Sequence, residues 1–185
     1  MKTIYRELNG IKKFIEQQLY ERKILMAREP EDGEDVDGSL ELVTPRVAIG
    51  NIPHANFSLY ADDAHLFQAP YILIGFDEAN YDVEDESIQI LIQACAYTQV
   101  TYNFGVTDTD TEDYPDNMGM LDVTQLLEMI MSWIEEDADF AVSKPYRLGS
   151  YASRAFTYPY AFGYLEFPLE TGVGTLHQRR FYGLE

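Results

Sequence analysis

The chain has 185 residues, 46% of them hydrophobic and 14% aromatic, which is enough for one domain with a full core and excludes a wholly disordered protein. Its 32 acidic and 13 basic side chains give a formal charge of −19, and repulsion from phosphate argues against general nucleic-acid binding. The single cysteine, Cys95, excludes an intrachain disulfide and is typical of a reducing cytoplasm.

The sequence carries neither a membrane span nor a targeting signal that we can identify. Its apolar runs fall short of the roughly 20 residues needed to cross a bilayer, so we expect no membrane association. The N-terminal stretch lacks the apolar region and small-residue cleavage site of a signal peptide. We therefore expect a single domain over residues 1–185.

The charge is distributed unevenly along the chain. Residues 1–28 carry seven bases and three acids, a net charge of +4, whereas the remaining residues carry six bases and twenty-nine acids. The basic segment includes Arg6, Lys12 and Lys13, which we predict to meet the acidic body of a neighbouring copy. The alternative, a solvated basic face on a helix, stays open.

The first predicted element is an amphipathic helix over 4–22. Its apolar residues recur at spacings of three and four, on one stripe: Ile4, Leu8, Ile11, Ile15 and Leu19. The acidic, glycine-containing segment 29–39 predicts a mobile loop, and the proline-interrupted segment 40–70 predicts short strands or an extended arm. Together, residues 29–69 form an insertion ahead of a predicted core over 70–171.

The core is predicted to begin with two strands and a helix. Residues 70–76 and 87–100 are apolar runs joined by a polar connector, so they should pair as antiparallel strands. The second run places five apolar residues on one face: Ile88, Ile90, Ile92, Ala94 and Ala96. Residues 121–136 then repeat apolar side chains at helical spacing over three turns. We predict that Asp122 caps this helix and that Gln125 completes a capping box.

Two further strands complete the predicted sheet, over 140–150 and 158–171. The second strand alternates so that both faces are apolar: Tyr160, Phe162 and Tyr164 lie on one face, opposite Ala161, Gly163, Leu165 and Phe167. This pattern is typical of a strand covered by a helix on one side and a partner on the other. Residues 172–185 predict a flexible tail.

These elements together predict an α+β fold. We expect a mixed or antiparallel sheet of about four or more strands with helices packed on one face, plus an extended arm or hairpin insertion.

The run "TDTDTEDYPDN" (107–117) gathers five carboxylates ahead of the second helix: Asp108, Asp110, Glu112, Asp113 and Asp116. Counted from Asp108 as a calcium-binding loop, the sixth position is Asp113, where glycine is required, and the twelfth is Gly119, where glutamate belongs. We therefore interpret the run as a solvated acidic loop. Adventitious binding of Mg²⁺ or Ca²⁺ is the alternative.

The sequence contains no recognisable catalytic motif. Its three histidines, His54, His65 and His177, are far apart and none forms a zinc-ligand pair. A nucleophile elbow, a phosphate-binding loop and a dinucleotide fingerprint are all missing. Cys95 lies in an apolar stretch without a nearby histidine, which predicts a buried structural thiol. We expect no catalytic residue, metal or cofactor; a small acidic metal-dependent hydrolase is the alternative.

Several of the fourteen tyrosines crowd into residues 146–164, where Arg147 and Arg154 are interleaved with them. Aromatic residues with arginine can stack on single-stranded nucleic acid, but the surrounding negative charge argues against that use. The same composition is typical of the core of a protein–protein interface. We predict an oligomer interface that includes six residues: Arg6, Lys12, Lys13, Tyr160, Phe162 and Tyr164. A purely internal cluster of aromatic side chains is the alternative.

Three phrases in this order suggest a family: "PYILIGFD" (70–77), "GMLDVTQLLEMIMSWI" (119–134) and "PYAFGYLEFPLE" (159–170). Together they resemble the tail terminator family of long-tailed phages, the group of lambda minor tail protein U. That family has an early β-hairpin, a helix that begins at an aspartate, and a final aromatic strand. The likeness covers about residues 68–170, and the long segment 29–69 departs from the family pattern.

The resemblance implies a structural protein of the virion. It implies a compact subunit that forms a hexameric ring at the head-proximal end of the tail, stops polymerisation of the tail tube and offers an interface to head-completion proteins. The implied partners are copies of itself, the tail tube protein and a head-completion protein, while DNA passes through without specific binding. No catalytic residue carries over, and the acidic run would rim the ring or its channel. The alternative is another head–tail connector or head-completion protein.

Overall fold

The computed structural model describes residues 4–30, 41–50, 68–81, 86–97, 118–137, 140–150 and 160–170. In chain order the elements are α1 (Ile4–Glu21), β1 (Met26–Ala27), β2 (Leu42–Val43), β3 (Arg46–Ile49), β4 (Tyr71–Tyr81), β5 (Glu86–Tyr97), α2 (Met118–Glu136), β6 (Arg147–Ser150) and β7 (Tyr160–Glu170). Two helices, a five-stranded mixed sheet and a two-stranded sheet make an α+β fold, so the predicted fold class is confirmed.

The larger sheet has the strand order β3-β4-β5-β7-β6. Strands β4 and β5 form the predicted antiparallel pair, and β7 adds to the other side of β5, also antiparallel. Strand β6 pairs antiparallel with β7, whereas β3 runs parallel to β4 at the opposite edge. The middle of the sheet is therefore β5, and the register places Ile92 between Ile74 and Leu165.

Both helices pack on one face of this sheet. The predicted stripe of α1 is confirmed, since Ile11, Ile15 and Leu19 are fully buried. These residues share one core with the buried faces of α2 and of the three longest strands. Each buried Leu or Ile contributes about 1.5–3 kcal/mol to folding. Helix α1 ends in a Schellman turn, in which Lys23 adopts φ 53° and the Ile24 amide donates to the Leu19 carbonyl at 3.1 Å.

Helix α2 begins earlier than the sequence indicates. Its first residue is Met118, so Asp122 is the fifth helical residue and the predicted capping role of Asp122 and Gln125 is wrong. A cap must precede the first helical residue, because amides one turn further in are already bonded within the helix. The apolar pattern is otherwise confirmed, and Trp133 joins the core at 4% exposure.

Other strand predictions are confirmed in part. Segment 140–150 was expected to be one strand, but β6 occupies its last four residues and Val142 makes an isolated bridge to Leu169. Segment 40–70 contains the short strands β2 and β3, as predicted, while its residues 51–67 lie outside the described part of the chain. The predicted loop at 29–39 and tail at 172–185 lie outside it as well, apart from Glu29 and Pro30.

Strand β7 and helix α2 lie in close contact at Gly163. A Cβ atom there would lie 2.5 Å from Val123 Cγ1 and 2.9 Å from Leu127 Cδ1. The absence of a side chain at this position therefore allows α2 to lie close to the sheet.

We expect Gly163→Ala to lower the free energy of unfolding by about 1–3 kcal/mol, because the added methyl overpacks the contact between helix and sheet. Urea unfolding followed by the fluorescence of Trp133, the single tryptophan, measures this loss. The control is Gly149→Ala, whose Cβ would meet the ring of Tyr164, a half-buried side chain that yields more easily. Equal losses for the two variants would contradict the proposed close packing at Gly163.

Candidate functional site

The sheet has a second apolar face, opposite the helices. Alternate residues of three neighbouring strands point to it, and we call these residues the aromatic face: Tyr71, Leu73, Gln93, Cys95, Tyr97, Tyr160, Phe162 and Tyr164. Strand β7 therefore presents its aromatic row away from the helices and packs Ala161, Leu165 and Phe167 into the helix-covered core, as the alternation predicts.

Burial changes across the aromatic face. On β4 and β5 the side chains of this face are almost completely buried, with Leu73 and Cys95 at 1% exposure and Gln93 at 3%, except for Tyr97 at the end of β5, which is half-buried. On β7 the three residues Tyr160, Phe162 and Tyr164 are half-buried. The aromatic row of β7 is thus the part of this face that solvent and other molecules can reach.

The rings of the row contact one another and their neighbours. Tyr97 and Tyr160 meet edge to face with centroids 5.8 Å apart, and Tyr160 and Phe162 lie 6.3 Å apart at a tilt of 35°. Gly149 of β6 lies directly beneath the Tyr164 ring. Such pairs stabilise an aromatic surface by about 0.5–1.5 kcal/mol each beyond the burial of their area.

A carboxylate from the N-terminal part of the chain reaches the aromatic face. Glu29 accepts a short hydrogen bond from the Tyr160 hydroxyl through Oε1, and its Oε2 accepts one from the Ala69 amide at 3.1 Å. Its backbone bonds there too, since the Glu29 amide donates to the Ala69 carbonyl at 2.9 Å and Gln68 Nε2 donates to the Glu29 carbonyl at 2.9 Å. Glu29 therefore joins the starts of β4 and β7.

The Glu29 side chain lies near two buried groups that ionise only at high pH, the hydroxyl of Tyr71 and the thiol of Cys95. The Tyr71 hydroxyl hydrogen-bonds with the Cys95 thiol, and burial raises the pKa of both groups well above their ordinary values. Burial and the hydrogen bond to Glu29 also raise the pKa of Tyr160. All three groups are thus neutral at physiological pH, and the predicted burial of Cys95 is confirmed.

The predicted interface residues occupy two separate surfaces. Tyr160, Phe162 and Tyr164 lie together on the aromatic face, whereas Arg6, Lys12 and Lys13 lie on α1, on the other side of the sheet. Arg6 and Lys13 are exposed, and Lys12 forms an ion pair with Glu16 at 3.6 Å, one turn along the helix. The three bases of α1 and the aromatic row of β7 therefore lie in two distinct patches.

The predicted acidic rim lies outside the described residues: Asp108, Asp110, Glu112, Asp113 and Asp116. The three histidines lie outside them too. Within the part of the chain that the structure describes, no three or more His, Cys, Asp or Glu side chains are grouped so that they could hold a metal ion. Neither described helix is long and apolar enough to cross a membrane.

Glu29 is the residue that sequence reasoning missed. It opens an acidic stretch that predicts a mobile loop, and its partner Tyr160 lies 131 residues further along the chain. The local sequence carries one usable signal, which is that the predicted helix over 4–22 ends seven residues before Glu29 and so holds this residue near the core. Its partner could not be identified without the tertiary fold.

No known protein-family profile matches the chain, and comparison with curated proteins finds no significant sequence match. The resemblance to the tail terminators therefore stays a prediction.

We expect Glu29→Ala to open the aromatic face and to speed the reaction of Cys95 with a disulfide reagent roughly tenfold or more, because two hydrogen bonds that hold the 28–30 segment are lost. Glu29→Gln is the matched control, since its amide oxygen can accept from the Ala69 amide while its NH2 group donates to the Tyr160 hydroxyl oxygen. Labelling under native conditions measures the rate on the single thiol.

Loss of overall stability could also expose this thiol, so Ile130→Val in the opposite, helix-covered core serves as a second reference. The labelling rates of the two variants are compared after correction for their free energies of unfolding. If Glu29→Ala then reacts no faster than Ile130→Val, Glu29 does not cover Cys95.

We expect the free energy of unfolding to fall as the pH rises above about 9, where cysteine and then tyrosine ionise in the unfolded chain. The fold raises the pKa values of three groups: Tyr71, Cys95 and Tyr160. Because the fold favours their neutral forms, their contribution to the free energy of unfolding is complete at lower pH and is lost as the pH rises and the groups ionise. Each group adds a slope of about 1.4 kcal/mol per pH unit.

Urea unfolding at several values between pH 8 and 11 tests this dependence. Tyr71→Phe should flatten the decline, whereas Leu73→Met, a change on the same face without a titrating group, should lower stability equally at every pH. A Tyr71→Phe curve parallel to the wild type would refute the assignment.

Proposed function

We propose that this chain is a structural protein of the tail terminator type, which forms a ring at the head-proximal end of a phage tail. In this role it stops polymerisation of the tail tube and offers an interface for head attachment. The observation that carries the proposal is the half-buried aromatic row on β7, which lies on the sheet face opposite the helices. Tyrosine-rich rows of this kind are typical of contacts between proteins.

The order of the elements supports the proposal. The terminator pattern of an early hairpin, a helix and a final aromatic strand corresponds here to β4 with β5, then α2, then β7. Helix α1 precedes them and completes the helical layer. The fold alone is compatible with many functions, so the weight of the argument rests on the surfaces.

The net negative charge of the chain also supports the proposed ring. A ring through which a genome passes has to repel phosphate, and carboxylates near the channel do so within about 8–10 Å at physiological salt. The net charge of −19 meets that requirement. On this proposal the run from Asp108 to Asp116 rims the ring or its channel.

We expect Phe162→Glu to weaken assembly at least tenfold, because it places a charge at the centre of the aromatic row. The assay has two readouts: the mass of the free protein by light scattering, and the length of tubes in terminator-deficient tails by electron microscopy. Phe76→Glu is the matched control, since Phe76 is 38% exposed and lies on β4 outside the row.

The wild-type protein should form a discrete ring, by itself or on a tube end, and should limit tube length. A protein that stays monomeric at all concentrations and salt levels and leaves tube length unchanged would overturn the proposal. A protein that joins heads to finished tails without limiting tube length would instead be a head–tail connector or head-completion protein. Parallel unfolding curves show whether Phe162→Glu remains folded.

A further inference from the structure

The helical layer has two different ends. Helix α1 lies over β3 and β4, at one edge of the sheet, and α2 lies over β5, β7 and β6, at the other edge. We call the exposed side of α1 with β3 the α1 end, and the exposed side of α2 with β6 the α2 end. A contact between neighbouring copies of the protein can therefore join like ends or unlike ends.

The α1 end exposes large aromatic side chains beside a base. Tyr5 is 66% exposed and Tyr20 is 81% exposed, and both lie on the solvent side of α1 together with Lys13. Their spacings of eight and seven residues from Lys13 place the three on the same side of the helix. Tyrosine is one of the residue types that dominate the energetics of protein contacts, and a neighbouring base offers charge complementarity to an acidic partner.

The α2 end exposes acids and apolar side chains. Helix α2 contains Asp122, Glu128, Glu135 and Glu136 and no basic residue, and all four acids lie on its solvent side. Leu121 is 54% exposed on the same side, and Leu148 of β6 is 38% exposed. The acids of this end complement Lys13, and its leucines offer apolar contact to the tyrosines.

We propose that the α1 end of one copy docks against the α2 end of the next, so that Lys13 meets Glu128 and the exposed tyrosines meet the leucines. This assignment rests on the proposed ring. Unlike ends make a heterologous contact, which is the kind that generates a closed ring when the rotation between copies closes. Contact between two α2 ends would oppose acids to acids, and the repulsion disfavours it.

The strand directions agree with this arrangement. Strand β3 runs parallel to β4, β5 runs opposite to β4, β7 opposite to β5, and β6 opposite to β7. Strands β3 and β6 consequently run in opposite directions. In copies placed side by side in one orientation, β6 of one lies antiparallel to β3 of the next. The aromatic row of β7 stays on the sheet face, where this arrangement places it toward the tube or the head.

A charge swap tests the pairing. We expect Lys13→Glu and Glu128→Lys each to raise the dissociation constant of the wild-type assembly roughly two- to fivefold at low salt. The double variant, with both changes in each chain, should return close to the wild-type value. The differences should vanish near 1 M salt, where exposed charges are screened within about 3 Å. Sedimentation velocity over a range of concentrations measures each constant.

Glu170→Lys is the matched control, because Glu170 is an exposed carboxylate at the end of β7, paired with β5 and outside both ends, and this change should leave assembly unaltered. Tyr20→Ala should weaken assembly at every salt concentration without changing stability, since Tyr20 makes little contact within its own chain.

The outcomes separate the two proposals. If the wild type assembles but the double variant has a dissociation constant as high as those of the single variants, the proposed pairing is overturned and the proposed ring is not. A wild type that neither assembles nor caps tubes would overturn the proposed function, and this pairing with it.

Discussion

Strand β5 is buried on both faces, and the rest of the structure depends on that constraint. Ile88, Ile90 and Ile92 point into the helix-covered core, while Gln93 and Cys95 are as deeply buried on the other side. A strand with two apolar faces has to be covered twice. Helices α1 and α2 cover one face, and Glu29 with the β7 aromatics contributes to the cover on the other.

The two faces are covered by different means. On the helix side, packed aliphatic side chains form most of the cover, and the absence of a side chain at Gly163 leaves room for Val123 and Leu127 of α2. On the aromatic side, hydroxyl, thiol and carboxylate groups lie among the rings, so burial has to be matched by hydrogen bonds. Glu29 satisfies that need for Tyr160 and for the Ala69 amide. A face held by a few polar contacts opens more readily than an aliphatic core, which suits a surface that meets other molecules.

Charge and aromatic surface are separated on this molecule. The bases of the N-terminal helix and the acids of α2 lie at opposite ends of the helical layer, and the β7 row lies on the far face of the sheet. A subunit with several distinct surfaces can contact neighbours in more than one direction. The proposed ring and its proposed head-to-tail pairing both require that capacity.

The sequence by itself determined the elements with strong periodicity. Spacings of three and four located α1, and alternation located β5 and both faces of β7, because these patterns follow from backbone geometry alone. The start of α2 could not be located from the sequence, since Asp122 resembles a capping residue although the helix already begins at Met118. Only the tertiary structure decided that Glu29 bonds Tyr160, that β3 joins the sheet in parallel, and that α1 and α2 lie at opposite ends of one layer. These contacts join residues distant in the chain, and their energy comes from burial that no local pattern encodes.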